Sequence, residues 1–299
     1  MKTWRIRIRP LSPWASPWRS DTIFGCICWR WVELYPEDFG SVLEGFRSGG
    51  EPPFLVSDAW PGDLLPLPAH IGVEAEGGGG RKKWKPPLYI PEASFRRIAE
   101  GREQVAKEAV SGVFRRLTRV QTAIDRETGT AAAGQLFETE CQYLGEKYDS
   151  LAVYVRTGRH LERLMGCLRG LALSGYGKKS SSGLGEFEVA GEPERCEWLE
   201  AVPGANAFVA LNHFVPAPAD PGEGLWRTHV TFPKFHSNSV GNVFKGAMLM
   251  LTPGSVFRSG GTEPRPWYGT VIPTPRPEMP EAVHYGLCFP APVVWPEGR

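Results

Sequence analysis

Long apolar runs and cysteine pairs with metal-binding spacing are both missing from this sequence of 299 residues. Its longest apolar segments, such as residues 246–251, fall far short of the roughly 20 residues that cross a bilayer. The N-terminus alternates basic and apolar side chains and lacks the apolar core of a signal peptide, so we expect a cytoplasmic protein without a membrane partner. None of the six cysteines lies in a Cys-x-x-Cys pair, and Cys26 and Cys28 are too close for a zinc knuckle. We therefore expect free thiols and neither a metal nor another cofactor.

Net charge is also nearly absent, at +1, but the charges are segregated along the chain. Residues 1–30 carry six Lys or Arg against one acid, residues 81–126 carry twelve against five, and residues 156–180 carry six against one. The rest of the chain is correspondingly acidic. Such segregation fits one basic surface for a polyanion and one acidic surface for another protein. The alternative is that the three basic windows face different directions.

The sharpest motif is the Gly-rich segment at residues 174–187, S-G-Y-G-K-K-S-S-S-G-L-G-E-F. Its glycines allow tight turns and a close approach to a ligand, its two lysines supply point charges, and its three serines supply hydroxyl donors. Successive backbone N–H groups in such a loop form anion-binding nests, so we predict a cradle for a sugar–phosphate backbone. The candidate RNA-binding residues of the loop are Gly175, Tyr176, Gly177, Lys178, Lys179, Ser180, Ser181, Ser182, Gly183 and Gly185.

Two nucleotide-binding motifs do not fit this loop. A Walker A motif needs a Gly five residues before Gly177, where Ala172 stands, and a Ser or Thr after Lys178, where Lys179 stands. A dinucleotide-binding fingerprint follows a strand, whereas this loop follows a predicted helix. The remaining alternative is a flexible linker between helix and strand.

Apolar periodicity predicts an α+β fold of two tandem ferredoxin-like (RRM-like) domains. The first has the order β–α–β, insertion, β–α–loop–β, with a protruding β-hairpin at residues 119–138 around a polar Asp/Gly turn. Its predicted segments are a strand at 3–9, a helix at 22–34, a helical turn at 39–46, a strand at 54–59, a helix at 95–110, a strand at 151–155, a helix at 161–173 and a strand at 185–189.

The predicted domain boundary lies after residue 192. The first domain, 1–192, contains an insertion at 61–145, whose Gly- and Pro-rich part includes four glycines followed by Arg81, Lys82 and Lys83. The second domain, 193–299, is mostly β with long Pro-rich joints, and we expect a degenerate ferredoxin-like domain there.

The Gly-rich loop resembles that of the RAMP superfamily of CRISPR proteins. Further motifs narrow the likeness to the subunit of type III-A (Csm) effector complexes that caps the 5′ tag of the guide RNA. This resemblance implies a subunit that holds the repeat-derived tag without cutting it, in antiviral defence. It also implies docking on a large polymerase-like subunit and an adjacent backbone subunit. The further motifs are residues 20–29 after the first strand, 123–130 and 134–137, with weaker echoes at 54–61 and 211–214.

By the same resemblance, residues 119–138 form a thumb that places Arg126 near the RNA, and Ser20 and Thr22 assist the loop. Lys245 is a further candidate phosphate contact. Aromatic rings often stack on single-stranded bases, and the candidates here are Trp14, Trp18 and Tyr176.

No histidine spacing predicts a general acid–base pair, so we expect no catalytic residue and no enzyme. Some RAMP proteins are metal-independent ribonucleases that process guide RNA, and that alternative stays open with His160, His229 and His236 as its candidates. The chain could equally be the equivalent subunit of a type III-B complex, or a scaffold whose basic windows bind acidic proteins.

Overall fold

The computed structural model describes residues 1–73, 88–235 and 243–296. The basic segment at 81–83 and the candidate histidine His236 lie outside these described residues. The part of the chain up to residue 195 contains β1 (Lys2–Pro10), α1 (Ser20–Leu34), α2 (Pro36–Arg47), β2 (Phe54–Pro61), β3 (Leu64–Pro66), β4 (Gly72–Val73), β5 (Tyr89–Pro91), α3 (Glu92–Ala99), β6 (Val105–Ala106), β7 (Phe114–Ile124), β8 (Ala131–Leu144), β9 (Leu151–Thr157), α4 (Leu161–Ala172) and β10 (Phe187–Arg195).

The remainder of the described chain is built from short strands. They are β11 (Ala207–Ala210), β12 (Gly224–Leu225), β13 (Thr228–Thr231), β14 (Met248–Leu251), β15 (Val256–Arg258), β16 (Tyr268–Gly269), β17 (Ile272–Pro273), β18 (Val283–His284), β19 (Leu287–Cys288) and β20 (Pro290–Val293).

The first half folds around a four-stranded antiparallel sheet in the order β10–β1–β9–β2. Alternation along β1 buries Ile6 and Ile8, and α1 and α4 pack together beside the sheet. The element order is the predicted β–α–β, insertion, β–α–β. The predicted helix at 95–110 is wrong beyond α3, because the chain reverses at Gly101, which has a φ of +73°. The predicted hairpin at 119–138 is longer, formed by all of β7 and β8.

The outer face of β1 is not the basic surface that its sequence suggested. Arg5 pairs with Glu92 at 2.7 Å and also with Glu194. Arg7 donates to the carbonyl of Gly62 and also pairs with Asp63. Arg9 forms the same kind of ion pair with a glutamate of β10, so the charges of these three arginines are neutralised within the fold.

A second ferredoxin-like domain is not confirmed. The second half has a four-stranded sheet in the order β12–β15–β11–β20 and three two-stranded ribbons. Within the described residues 196–235 and 243–296 there is no α-helix, only a 3-10 turn at Glu197–Leu199. Frequent prolines explain this, because each removes a backbone donor and breaks a helix. None of the described helices is long and apolar enough to cross a membrane.

The two halves share one hydrophobic core. The ring of Tyr285 stacks on Phe24, and its hydroxyl accepts a hydrogen bond from the N–H of Val56 at 3.0 Å. Arg156 of β9 is buried and donates to three carbonyl oxygens of the later chain and to Thr3. Because β10 continues to Arg195 and the core is shared, the boundary after residue 192 stays a prediction.

Candidate nucleic-acid interface

The Gly-rich loop is folded on itself rather than extended. The N–H of Tyr176 donates to the carbonyl of Gly185 at 2.7 Å, and Ser180–Ser182 forms a 3-10 turn. At Gly185 only glycine fits, because φ is +71° and an added Cβ would lie 2.1 Å from the Tyr176 carbonyl oxygen. This built geometry contradicts the flexible-linker interpretation.

Residues 12–17 support the loop from below. The N–H of Lys178 donates to Ser16 Oγ at 2.8 Å, and the N–H of Gly185 donates to the carbonyl of Pro13 at 2.8 Å. These amides are therefore not available to an anion. Among the described residues, no hydrogen bond is formed by the N–H groups of Lys179, Ser180 and Ser181, which leaves these three for a phosphate.

All three aromatic rings predicted to stack on bases are buried inside the protein, so that interpretation is wrong. Tyr176 is fully buried, lies 3.7 Å from Trp18 with nearly parallel rings, and donates its hydroxyl to the Pro17 carbonyl. Burial also raises the pKa of Tyr176 well above its ordinary value. Trp14 and Trp18 are buried too: the ring of Trp14 packs edge-on against Phe114 of β7, and that of Trp18 packs edge-on against Phe187 of β10.

Two more side chains predicted to contact RNA form hydrogen bonds within the protein instead. The hydroxyl of Ser20 is buried and accepts a hydrogen bond from the side-chain amide of Asn212 at 3.0 Å, which ties α1 to the second half. Lys245 donates to the carbonyl of Val283 at 2.7 Å, and burial lowers its pKa. Neither side chain is free for a phosphate in this conformation, whereas Thr22 stays half-exposed at the start of α1.

The β7–β8 hairpin lies directly beside the loop. Arg119 donates to the carbonyl of Ser182 at 3.0 Å, and the Lys179 ammonium lies 4.7 Å from the centre of the Phe137 ring. We call the Gly-rich loop, together with Arg119 and Arg126 of the hairpin, the loop–hairpin surface. Within the described part of the chain, none of its four cations pairs with an acid: Arg119, Arg126, Lys178 and Lys179. Arg115 and Arg116, nearer the base of the hairpin, have no acidic partner there either.

Sequence reasoning did not single out Arg115, Arg116 and Arg119. The alternation of a strand could have grouped two of them. Arg115 and Arg119 are four residues apart on β7 and therefore lie on one face of the hairpin. What the sequence lacked was the tertiary contact that places this face next to the Gly-rich loop.

A second polar cluster lies where α1 meets β13. Arg19, at the N-terminus of α1, contacts His229 Nε2 at 2.9 Å. His213 Nδ1 lies 2.6 Å from a carboxylate oxygen of Asp58, and the two imidazole rings are 5.5 Å apart. Burial, with the charges of Arg19 and His213, lowers the pKa of His229. No sequence spacing predicts this cluster, since its members come from both halves.

Two of the histidines named for a ribonuclease lie in the described residues. His160 packs its ring against Trp31 at the start of α4, and His229 has His213 as its neighbour. Among the described residues, no group of three His, Cys, Asp or Glu side chains is placed to hold a metal ion.

No family model matches the chain, and no curated protein is similar to it. Several solved structures share its fold over nearly its whole length. One chain of a Csm1–Csm4 cassette in complex with cA4 matches with a TM-score of 0.61 and 18% identity, over 99% of this chain and 100% of that one. One chain of a Csm3–Csm4 subcomplex of the type III-A CRISPR–Cas interference complex matches with a TM-score of 0.61 and 12% identity, over 98% and 100%. Csm4 is the component that both assemblies contain, so this chain has the fold of the Csm4 RAMP subunit of type III CRISPR effector complexes.

Proposed function

We propose that this protein is a non-catalytic subunit of a type III-A CRISPR effector complex and anchors the 5′ tag of the guide RNA in antiviral defence. The likeness to Csm4 supports the class of assembly. The observation that carries RNA binding is the loop–hairpin surface, where four cations without acidic partners among the described residues accompany three loop N–H groups that form no hydrogen bond there. Elsewhere on the chain, by contrast, arginines such as Arg5 and Arg9 are paired with acids.

The chemistry suits a single RNA strand held by its backbone. The exposed Lys178 supplies a compact charge for one phosphate. The N–H groups of Lys179, Ser180 and Ser181 donate hydrogen bonds to the oxygens of another. Arg119 is held by the Ser182 carbonyl and still presents other donors to a phosphate. Arg126, at the tip of the hairpin, extends the cationic surface away from the loop. Such contacts anchor a strand without reading its sequence.

We also propose protein partners in the same assembly, a large polymerase-like subunit and an adjacent backbone subunit. The matched Csm4 structures contain Csm1 or Csm3, which supports this pairing. Exposed apolar side chains on β13, on β14 and directly after β13 fit a docking face: Val230, Leu249 and Phe232 are each more than half exposed. We further propose that the protein acts in the cytoplasm, together with the guide RNA. Co-purification with type III-A subunits supports a type III-A protein, and co-purification with type III-B subunits supports the equivalent type III-B protein.

The test is binding of the full chain, alone or with its large subunit, to labelled 5′-tag RNA, with the RNA recovered and sized afterwards. We expect salt-sensitive binding, intact RNA, and loss of binding in a variant with Lys178→Glu and Lys179→Glu. A matched control carries Arg102→Glu and Lys107→Glu, two exposed cations of the insertion. Equal affinity in the loop variant and the control contradicts the role of the loop.

A guide-processing ribonuclease is the second candidate, and the Arg19, Asp58, His213 and His229 cluster favours it. A carboxylate that orients one imidazole, a second imidazole at 5.5 Å and a guanidinium are the groups that RNA cleavage by general acid–base catalysis uses. Shortened RNA in the assay above, abolished by His213→Ala or His229→Ala, establishes this function. RNA that stays intact over hours with the wild-type chain excludes it.

A further inference from the structure

An open cleft of about 390 Å³ lies at the base of the β7–β8 hairpin, away from the Gly-rich loop. This volume falls in the range of sites that hold one small ligand. Both strands of the hairpin and the turn that follows β8 contribute to it. Its main lining residues are Val110, Gly112, Arg115, Tyr143, Lys147 and Tyr148.

The fold fixes the walls of this cleft. The N–H of Gly145 donates to the carbonyl of Val113, and the N–H of Tyr148 donates to the carbonyl of Gly145, both at 2.9 Å. The ring of Tyr148 packs so closely on Gly62 that an added Cβ would lie 3.1 Å from it. The cleft is therefore built by backbone hydrogen bonds and core packing rather than by loose side chains.

The chemistry inside the cleft combines aromatic rings with charge. Tyr143 is 41% exposed, and Arg115 lies directly opposite it in the hairpin register. Lys147 and Glu146 are also exposed, and within the described residues neither they nor Arg115 form an ion pair. A tyrosine face stacks on a base, an Arg and a Lys bind a phosphate, and a carboxylate accepts hydrogen bonds from an amino or hydroxyl group. Together these groups match a nucleotide better than an apolar side chain.

The cleft and the Gly-rich loop are linked by one face of the hairpin. Arg115 and Arg119 lie on one face of β7, roughly 13 Å apart at about 3.3 Å per residue. Arg119 contacts the Gly-rich loop, so a strand that crosses the loop and follows this face reaches the cleft within a few nucleotides. We propose that the cleft binds one nucleotide of the same RNA strand, next to the segment held by the loop. This proposal rests on the proposed RNA-binding function.

The experiment compares the affinity of the full chain for the 5′-tag RNA alone and for the tag extended by several nucleotides at either end. We expect one extended RNA to bind about tenfold more tightly, because each stacked base adds substantial affinity. A variant with Arg115→Gln and Tyr143→Leu should lose this gain while it keeps the affinity for the tag alone. The matched control is Arg116→Gln, on the opposite face of β7, which should retain the gain.

The outcomes separate the two proposals. A wild-type chain that binds the tag but gains nothing from either extension overturns the cleft alone. If the Arg115→Gln, Tyr143→Leu variant still binds the extended RNA more tightly than the tag alone, the cleft proposal is also overturned. If the variant keeps this RNA affinity but no longer binds a partner subunit, the cleft binds a protein instead. A wild-type chain that binds none of the RNAs overturns the RNA-binding function and the cleft together. Equal thermal unfolding of the variant and the Arg116→Gln control establishes that the fold is intact.

Discussion

Removal of the two loop lysines is the sharpest test of how this surface binds RNA. Lys178 is exposed, with its backbone N–H bonded to Ser16, and the Lys179 ammonium lies over the Phe137 ring, so both charges belong to the folded loop. On single strands each neutralised phosphate contributes about 0.7 to the slope of log affinity against log salt concentration. The variant with Lys178→Ala and Lys179→Ala should therefore lower the steepness of that slope by about 1.4. At low salt it should also bind roughly tenfold more weakly, if each contact contributes about 0.7 kcal/mol.

The fold should survive this change. Lys179 has a φ of +66°, and alanine carries the same Cβ as lysine, so the backbone cost at this position stays nearly the same. Fluorescence polarisation with labelled 5′-tag RNA, at a series of salt concentrations, measures both quantities. A variant with Arg102→Ala and Lys107→Ala removes the same charge elsewhere and should keep the wild-type slope. If the loop variant and wild type have the same slope, the lysines do not contact phosphates and the reasoning is refuted.

Three further predictions concern the structure that supports the surface. Gly185→Ala should lower the free energy of unfolding by about 3 kcal/mol, because its Cβ collides with the Tyr176 carbonyl, whereas Gly183→Ala, in open space, should cost only about 1 kcal/mol. Burial lowers the pKa of His70 to about 4, so the unfolded chain binds a proton between pH 6.5 and 4 that the folded chain does not. Stability should therefore fall as the pH drops through this window, by up to about 3 kcal/mol from this group, and His70→Phe should flatten the dependence. Arg156→Met should cost about 3 kcal/mol, because it leaves two buried carbonyls and one partly buried carbonyl without their donor.

Urea unfolding followed by circular dichroism measures all three. Equal losses for the two glycine variants would show that the close approach at Gly185 does not matter. An unchanged pH dependence in His70→Phe would assign the acid sensitivity to other groups, of which His284, with a pKa lowered to about 4 by burial, is the first candidate. The exposed Arg159→Met is the control for Arg156→Met, and a similar small loss in both would contradict the bridging role of Arg156.

The sequence predicted local structure well wherever one repeating pattern dominated. Alternation of Ile6 and Ile8 with arginines identified β1, and apolar spacing from Leu161 identified α4. The loop was recognised from its glycines, and Gly185 has the positive φ and close contact that require this residue. The prediction failed where helix-forming residues alone were the signal. The helix predicted at 95–110 ends early, because the chain reverses at Gly101.

By itself the sequence determined the order of elements in the first half, the Gly-rich loop and the resemblance to RAMP proteins, because these depend on residues close together in the chain. Tertiary structure decided which charges are free. The arginines of β1 and those of β7 look equally basic in sequence, but the fold pairs Arg5 and Arg9 with acids, whereas Arg115 and Arg119 form no ion pair within the described residues. It also buried Tyr176 and Ser20, which local chemistry had offered to the RNA. Both outcomes depend on contacts between distant segments, since the free energy of a charge or a ring is set by what surrounds it in space.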